Sequence, residues 1–144
     1  MSQSDGDVGF RVVHQAPTAA ELLALRESVG WLTYPVDLAQ AALDSSLFSV
    51  SLTVNDEVVG CARVIGDAYY RYVQDVIVAP AWQGKGGGSL MMEHVHRWLL
   101  EKSAERYRGL ICPPQSVEFY EKFDFQRDGV AMTLRTDSLP SGEK

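Results

Sequence analysis

The residues with the clearest capacity for chemistry lie between Val76 and Ser89. The apolar run Val76, Ile77 and Val78 is followed by Ala79-Pro80-Ala81-Trp82-Gln83 and then by Gly84-Lys85-Gly86-Gly87-Gly88-Ser89, after which a helical pattern begins. A buried strand that passes through glycines into a helix is suited to holding phosphate. Without Cβ atoms, successive backbone N–H groups can point at one anion, and the helix adds the positive end of its dipole. Lys85 supplies a positive charge within reach. A plain strand-to-helix turn is the alternative, but it needs a single glycine rather than Gly84, Gly86, Gly87 and Gly88 together.

The kind of phosphate site follows by exclusion. A Walker loop places Gly-Lys-Ser/Thr at its end, whereas Lys85 is followed by Gly86. A dinucleotide fingerprint needs a last glycine that Ser89 replaces, and it sits in a parallel-sheet rhythm that the preceding segments lack. His94 and His96 are two apart on a predicted helix, so they diverge and no metal site is expected. Cys112 has no base placed beside it by sequence, and it reads as packing.

These groups need elements to hold them. Thr18-Ala19-Ala20-Glu21 forms a capping box that opens a helix carrying Leu22, Leu25 and Val29, with Gly30 as its stop. Residues 35–43 predict a second short helix. Residues 47–54 and 58–65 flank Asn55-Asp56-Glu57 as an antiparallel hairpin, and residues 72–78 predict a central strand covered on both faces. Leu90, Met91, Val95, Trp98 and Leu99 form one stripe of a long amphipathic helix. Further short elements are expected at 109–112 (strand), 116–122 (helix) and 130–134 (closing strand). Strict alternation puts Tyr72, Gln74 and Val76 on one face of the central strand and Val73, Asp75 and Ile77 on the other.

The chain of 144 residues suits one domain with a single core. Residues 1–9 and 138–144 read as flexible ends around a domain at 10–137. A net charge of −6 argues against nucleic acid and anionic membrane surfaces as partners. Two cysteines without a disulfide pattern and a start lacking signal-peptide character predict a cytoplasmic protein.

Gln83, Gly86 and Gly88 match the Q/R-x-x-G-x-G/A loop of the GNAT acetyltransferases, and the chain resembles that family further along. Phe119-Tyr120-Glu121-Lys122-Phe123-Asp124-Phe125 is similar to its F-Y-x-K-x-G-F segment, and Arg63-Val64-Ile65-Gly66-Asp67 extends the likeness upstream. The resemblance implies an α+β fold, a mostly antiparallel sheet of six or seven strands flanked by helices. It also implies a cleft for acetyl-CoA between the 72–78 and 109–112 strands.

In that cleft, Val76, Ile77 and Val78 would present backbone groups to the pantetheine. Gln83, Gly84, Lys85, Gly86, Gly87, Gly88 and Ser89 would hold the pyrophosphate. Tyr120 matches the family's proton donor to the departing thiolate. Asp75 is the nearest carboxylate for accepting the amine's proton, with a structural anchor as its alternative role and a water chain past Gln74 as another route. Trp31, Tyr34, Tyr69 and Tyr70 stand where the family builds its acceptor pocket.

The activity so implied is transfer of an acetyl group to a primary amine of a small molecule. The alternatives are a protein lysine or N-terminus as acceptor, or a non-catalytic CoA-binding module. A homodimer is implied through an exposed strand near the C-terminus. Two positions depart from the pattern: Asp124 stands where glycine is common, and Pro113-Pro114 where many members carry an asparagine.

Overall fold

Five strands in the order β1-β2-β3-β4-β5 form the sheet of the computed structural model, which describes residues 8–134. The expected flexible ends, 1–9 and 138–144, lie outside the described residues except for Val8 and Gly9. The elements are β1 (Arg11–Val13), α1 (Ala19–Ser28), α2 (Val36–Asp44), β2 (Phe48–Val54), β3 (Glu57–Gly66), β4 (Tyr70–Val78), α3 (Gly87–Lys102), β5 (Tyr107–Gly109) and α4 (Val117–Glu121). All pairings are antiparallel except the parallel β4–β5 pair. The α+β expectation therefore holds.

Local signals in the sequence explain these boundaries. The Thr18 hydroxyl accepts from the Glu21 N–H at 3.1 Å, and the Glu21 carboxylate accepts from the Thr18 N–H at 2.9 Å, closing the capping box of α1. Asn55 and Asp56 both take positive φ, 51° and 68°, as a two-residue hairpin turn requires. Glu57 consequently belongs to β3 rather than to the turn.

The sheet is covered on both faces. On one, Met91, Met92, Val95 and Leu99 of α3 pack against Val50, Leu52, Val64 and Val73. On the other, Leu22, Leu25 and Leu43 of α1 and α2 pack against Cys61 and Ile77. Burial at this density is the main favourable term of the fold. The start of α3 lies directly on β2. A Cβ on Gly87 would stand 2.6 Å from Leu52 Cδ2, so any larger residue would have to displace the buried Leu52 side chain.

The expected strand count is corrected, with five strands among the described residues rather than six or seven. Residues 130–134 form no strand, and Val130, Met132 and Leu134 are 86%, 91% and 85% exposed. Among the described residues their alternating pattern has no strand to pair with, and alternation alone does not make a ladder. The short strand expected at 109–112 is shifted to Tyr107–Gly109, because β4 and β5 part after Gly109.

Candidate active site

The glycine-rich loop leaves the start of α3 open. Gln83 Nε2 donates to the Val78 carbonyl at 2.8 Å and ties the loop to the end of β4, so its side chain serves as an anchor. Gly84 and Gly86 lie in the left-handed region at φ 77° and 90°, with no atom near where a Cβ would point. Gly86 is the N-cap of α3, no side chain caps that helix, and its first turn carries no acidic residue. The N–H groups of Gly87, Gly88 and Ser89 therefore open the helix without an intrahelical acceptor, as suits an anion. Lys85 is exposed on the same loop.

Beside the loop the sheet splays. β5 pairs with β4 only at Tyr70–Tyr107, Arg71–Arg108 and Tyr72–Gly109, and residues 74–78 of β4 have no β5 partner. Apart from the Val78 carbonyl, which accepts from Gln83, backbone groups that point to this edge can bind an extended ligand. Val76 and Val78 pack on the α3 core and Ile77 on the α1/α2 core, so the strand that presents this edge is held from both sides. The Tyr72 phenol, pushed up by burial and by Tyr70, interacts with the Ile111 backbone across the opening.

Tyr120 reaches this region from α4. Its ring meets Phe119 edge-on at 4.9 Å and Phe125 at 6.2 Å. Phe119 in turn lies 3.4 Å from where a Cβ on Gly88 would be, so α4 and the start of α3 touch. Burial, and secondarily the Cys112 thiol, push the Tyr120 phenol up to about 12. The turn after α4 needs a left-handed residue, and Asp124 fills it at φ 71°, which explains how aspartate stands where glycine is common.

The raised phenol has a consequence for stability. Below pH ~10 both folded and unfolded chains keep this proton. As pH rises from about 10 through about 12 the unfolded chain gives it up while the folded chain retains it, so stability is lost across that window. Tyr120→Phe should remove this contribution. Denaturation midpoints followed from about pH 9 to about pH 11 should fall less for the variant than for the native chain; parallel declines would contradict the assignment.

On the α1/α2 face of the sheet lies a cavity of about 390 Å³, lined by Leu22, Arg26, Tyr34, Leu38, Gln74 and Asp75 among others. Gln74 and Asp75 are consecutive, yet both face it. The reason is a bulge: between the pairs Cys61–Ile77 and Arg63–Gln74, the two residues Asp75 and Val76 stand opposite Ala62 alone. Asp75 has φ 55°, and Val73 and Ile77 consequently pack on opposite faces of the sheet. The alternation expected for β4 is corrected accordingly.

The Asp75 side chain is 1% exposed, with Arg26 Nη1 at 2.6 Å from one oxygen and Arg63 Nε at 2.9 Å from the other. Two guanidiniums hold it, which is the anchoring role rather than that of a general base. Trp31 and Tyr34 set their ring faces 5.5 and 5.3 Å from the Arg26 guanidinium, so these faces already meet a cation. Tyr70 stacks on Tyr107 at 4.8 Å, and Tyr69 is exposed. The sequence reading missed Arg26 in this role. Its signal was position, four residues after Leu22 on the buried stripe of α1, where a charge requires a partner. His94 meets His14 at 2.8 Å rather than His96, a contact made across the fold.

The comparisons agree with this geometry. A family profile described as "Acetyltransferase (GNAT) domain" matches residues 46–127. An uncharacterized ycf52-like N-acetyltransferase of Prochlorococcus marinus is 36% identical over 106 residues, covering 70% of this chain and 58% of the relative. A histone acetyltransferase of Glycine max is 32% identical over 120 residues, covering 75% of this chain and 52% of the relative. The chain thus spans little more than half the length of these curated relatives. A probable acetyltransferase of unknown function from Staphylococcus aureus superposes with a TM-score of 0.80 at 30% identity, covering 88% of this chain and 99% of that one. The matched stretch runs from β2 through α4 and contains the loop, the splayed strands and Tyr120, and on that ground the chain belongs to the GNAT family of acetyltransferases.

Proposed function

We propose that the chain is an acetyl-CoA-dependent N-acetyltransferase that acts on a primary amine of a small molecule, by direct attack in a ternary complex. One observation carries this reading: β4 borders an open, unpaired cleft along one edge and a cavity of about 390 Å³ on its α1/α2 face. An acyl donor in the first and an amine in the second would meet across a single strand. The volume suits a small ligand. Acetyl-CoA supplies the activated acyl group as a thioester.

The remaining roles belong to the chain's own residues. N–H groups of Gly87, Gly88 and Ser89 hold the pyrophosphate, and the backbone of Val76 with the Val78 N–H holds the pantetheine, while Ile77, whose backbone faces Cys61 of β3, keeps the strand in the sheet. Tyr120 donates a hydrogen bond to the departing sulfur. Its phenol, at about 12, is a weaker acid than a thiol near ~8.5, so the phenol retains its proton and stabilises charge. Among the described residues Asp75 is the one carboxylate lining the cavity, and both its oxygens are paired, so the amine's proton goes to water at Gln74.

A protein amine is the second reading. The histone acetyltransferase relative favours it, as does the exposed apolar rim of Trp31, Tyr34, Val36 and Leu38. The deciding experiment measures CoA release from acetyl-CoA with phenethylamine, spermidine and a lysine-containing peptide. Turnover restricted to the small amines supports the proposal, and turnover restricted to the peptide selects the second reading. Tyr120→Phe should lower kcat about 100-fold while leaving acetyl-CoA affinity unchanged. Absence of acetyl-CoA binding by the native chain overturns both.

A further inference from the structure

Three elements meet at one buried carboxylate. Arg26 comes from α1, Arg63 from β3 and Asp75 from the bulge of β4. The two guanidiniums also reach beyond Asp75. Arg26 Nε donates to the Leu32 carbonyl at 2.7 Å, in the connection between α1 and α2. Arg63 Nη1 donates to Ser46 Oγ at 3.1 Å and toward the Ala42 carbonyl at 3.4 Å, at the end of α2. A carboxylate on a bulge is thus tied to both helices that wall the cavity.

The bulge itself needs such support. Asp75 holds a left-handed conformation at φ 55° in the middle of a strand, and the Cys61 thiol donates to its carbonyl at 3.4 Å. Backbone of this kind persists only where its surroundings over-determine it. Directional charge-assisted bonds fix geometry in a way that sliding apolar contacts do not.

We infer that Arg26, Asp75 and Arg63 form a positioning cluster that locks the β4 bulge, so that Gln74 faces the acceptor cavity while Val76, Ile77 and Val78 keep their register along the cleft. The three residues act through the β4 backbone and touch no reacting atom. A slip of one residue would turn Gln74 away and shift every backbone group along the cleft. What lies on the two sides of β4 rests on the acetyltransferase reading; the lock itself does not.

Arg63→Gln tests it, since the Arg26–Asp75 pair remains and no buried carboxylate is stranded. Arg63→Lys returns the cation as the conservative variant. Amide hydrogen exchange of the native chain and both variants is compared, together with acetyl-CoA titration and CoA release using whichever of phenethylamine, spermidine or the lysine peptide the native chain acetylates. In Arg63→Gln, exchange should quicken at residues 74–76 and stay unchanged at residues 91–99 of α3. Its kcat should fall about 100-fold, as a displacement near 1 Å does, acetyl-CoA affinity should weaken with the shifted cleft edge, and Arg63→Lys should recover part of both.

Unchanged exchange at 74–76 would overturn the inference. Faster exchange everywhere, α3 included, would do so too, because it would mark a general loss of stability. Local loosening with full kcat would show that the lock does not serve the reaction. If the native chain binds no acetyl-CoA, the acetyltransferase reading fails, and the exchange comparison still decides the lock.

Discussion

Asp75→Ala should destabilise the fold by about 3–5 kcal/mol, the cost of removing one member of a buried ionic cluster. Its carboxylate is 1% exposed and receives bonds from Arg26 and Arg63. Alanine would leave both guanidiniums without the carboxylate they share. The backbone adds a smaller term, because φ 55° costs an alanine roughly 1–2 kcal/mol in the left-handed region. Asparagine tolerates that conformation and retains an acceptor, so Asp75→Asn should lose distinctly less. Urea denaturation of the three proteins provides the comparison. An alanine variant within about 1 kcal/mol of the native chain would show that the cluster does not hold the sheet together.

The features legible in the sequence were those written locally. The capping box at Thr18 and Glu21, the Asn55-Asp56 turn and the stripe of α3 each depend on residues within a few positions of one another. The glycine loop belongs with them, because its chemistry lies in consecutive backbone N–H groups. Met92 escaped the predicted stripe although it is fully buried, since α3 packs a broader face than one line of residues.

The β4 bulge was not legible. Period-two reasoning presumes that no residue is inserted, and Gln74-Asp75-Val76 carries no mark of insertion beyond aspartate's tolerance of left-handed backbone. Every assignment of a side chain to a face of β4 inherited that presumption. The pairing of Asp75 with Arg26 and Arg63 was hidden for a related reason: it joins positions 49 and 12 residues apart, and only the fold brings them together. The ends of the sheet failed differently. Residues 130–134 have the composition of a strand, but strand formation is decided by a neighbour's edge.

Gly86→Glu should abolish acetyl-CoA binding under conditions where the native chain is saturated. Gly86 is the N-cap of α3 at φ 90°, in open space, so a side chain there projects from the mouth of the cradle instead of into the core. Three effects then act in the same direction. A carboxylate competes for the free N–H groups of the first turn, as acidic groups do at helix starts. Its charge repels a pyrophosphate. The left-handed backbone, poorly suited to glutamate, tends to redirect the loop. Two charge-assisted bonds lost at roughly 1.5–3 kcal/mol each amount to at least about 100-fold in affinity. Gly86→Asn separates the causes, since asparagine accepts the left-handed conformation and adds no charge; it should retain measurable binding. Calorimetric titration with acetyl-CoA, alongside melting curves to establish that each variant is folded, distinguishes the cases. Equal affinity in the glutamate variant would place the pyrophosphate somewhere other than the start of α3, and with it the whole orientation of the acyl donor along β4.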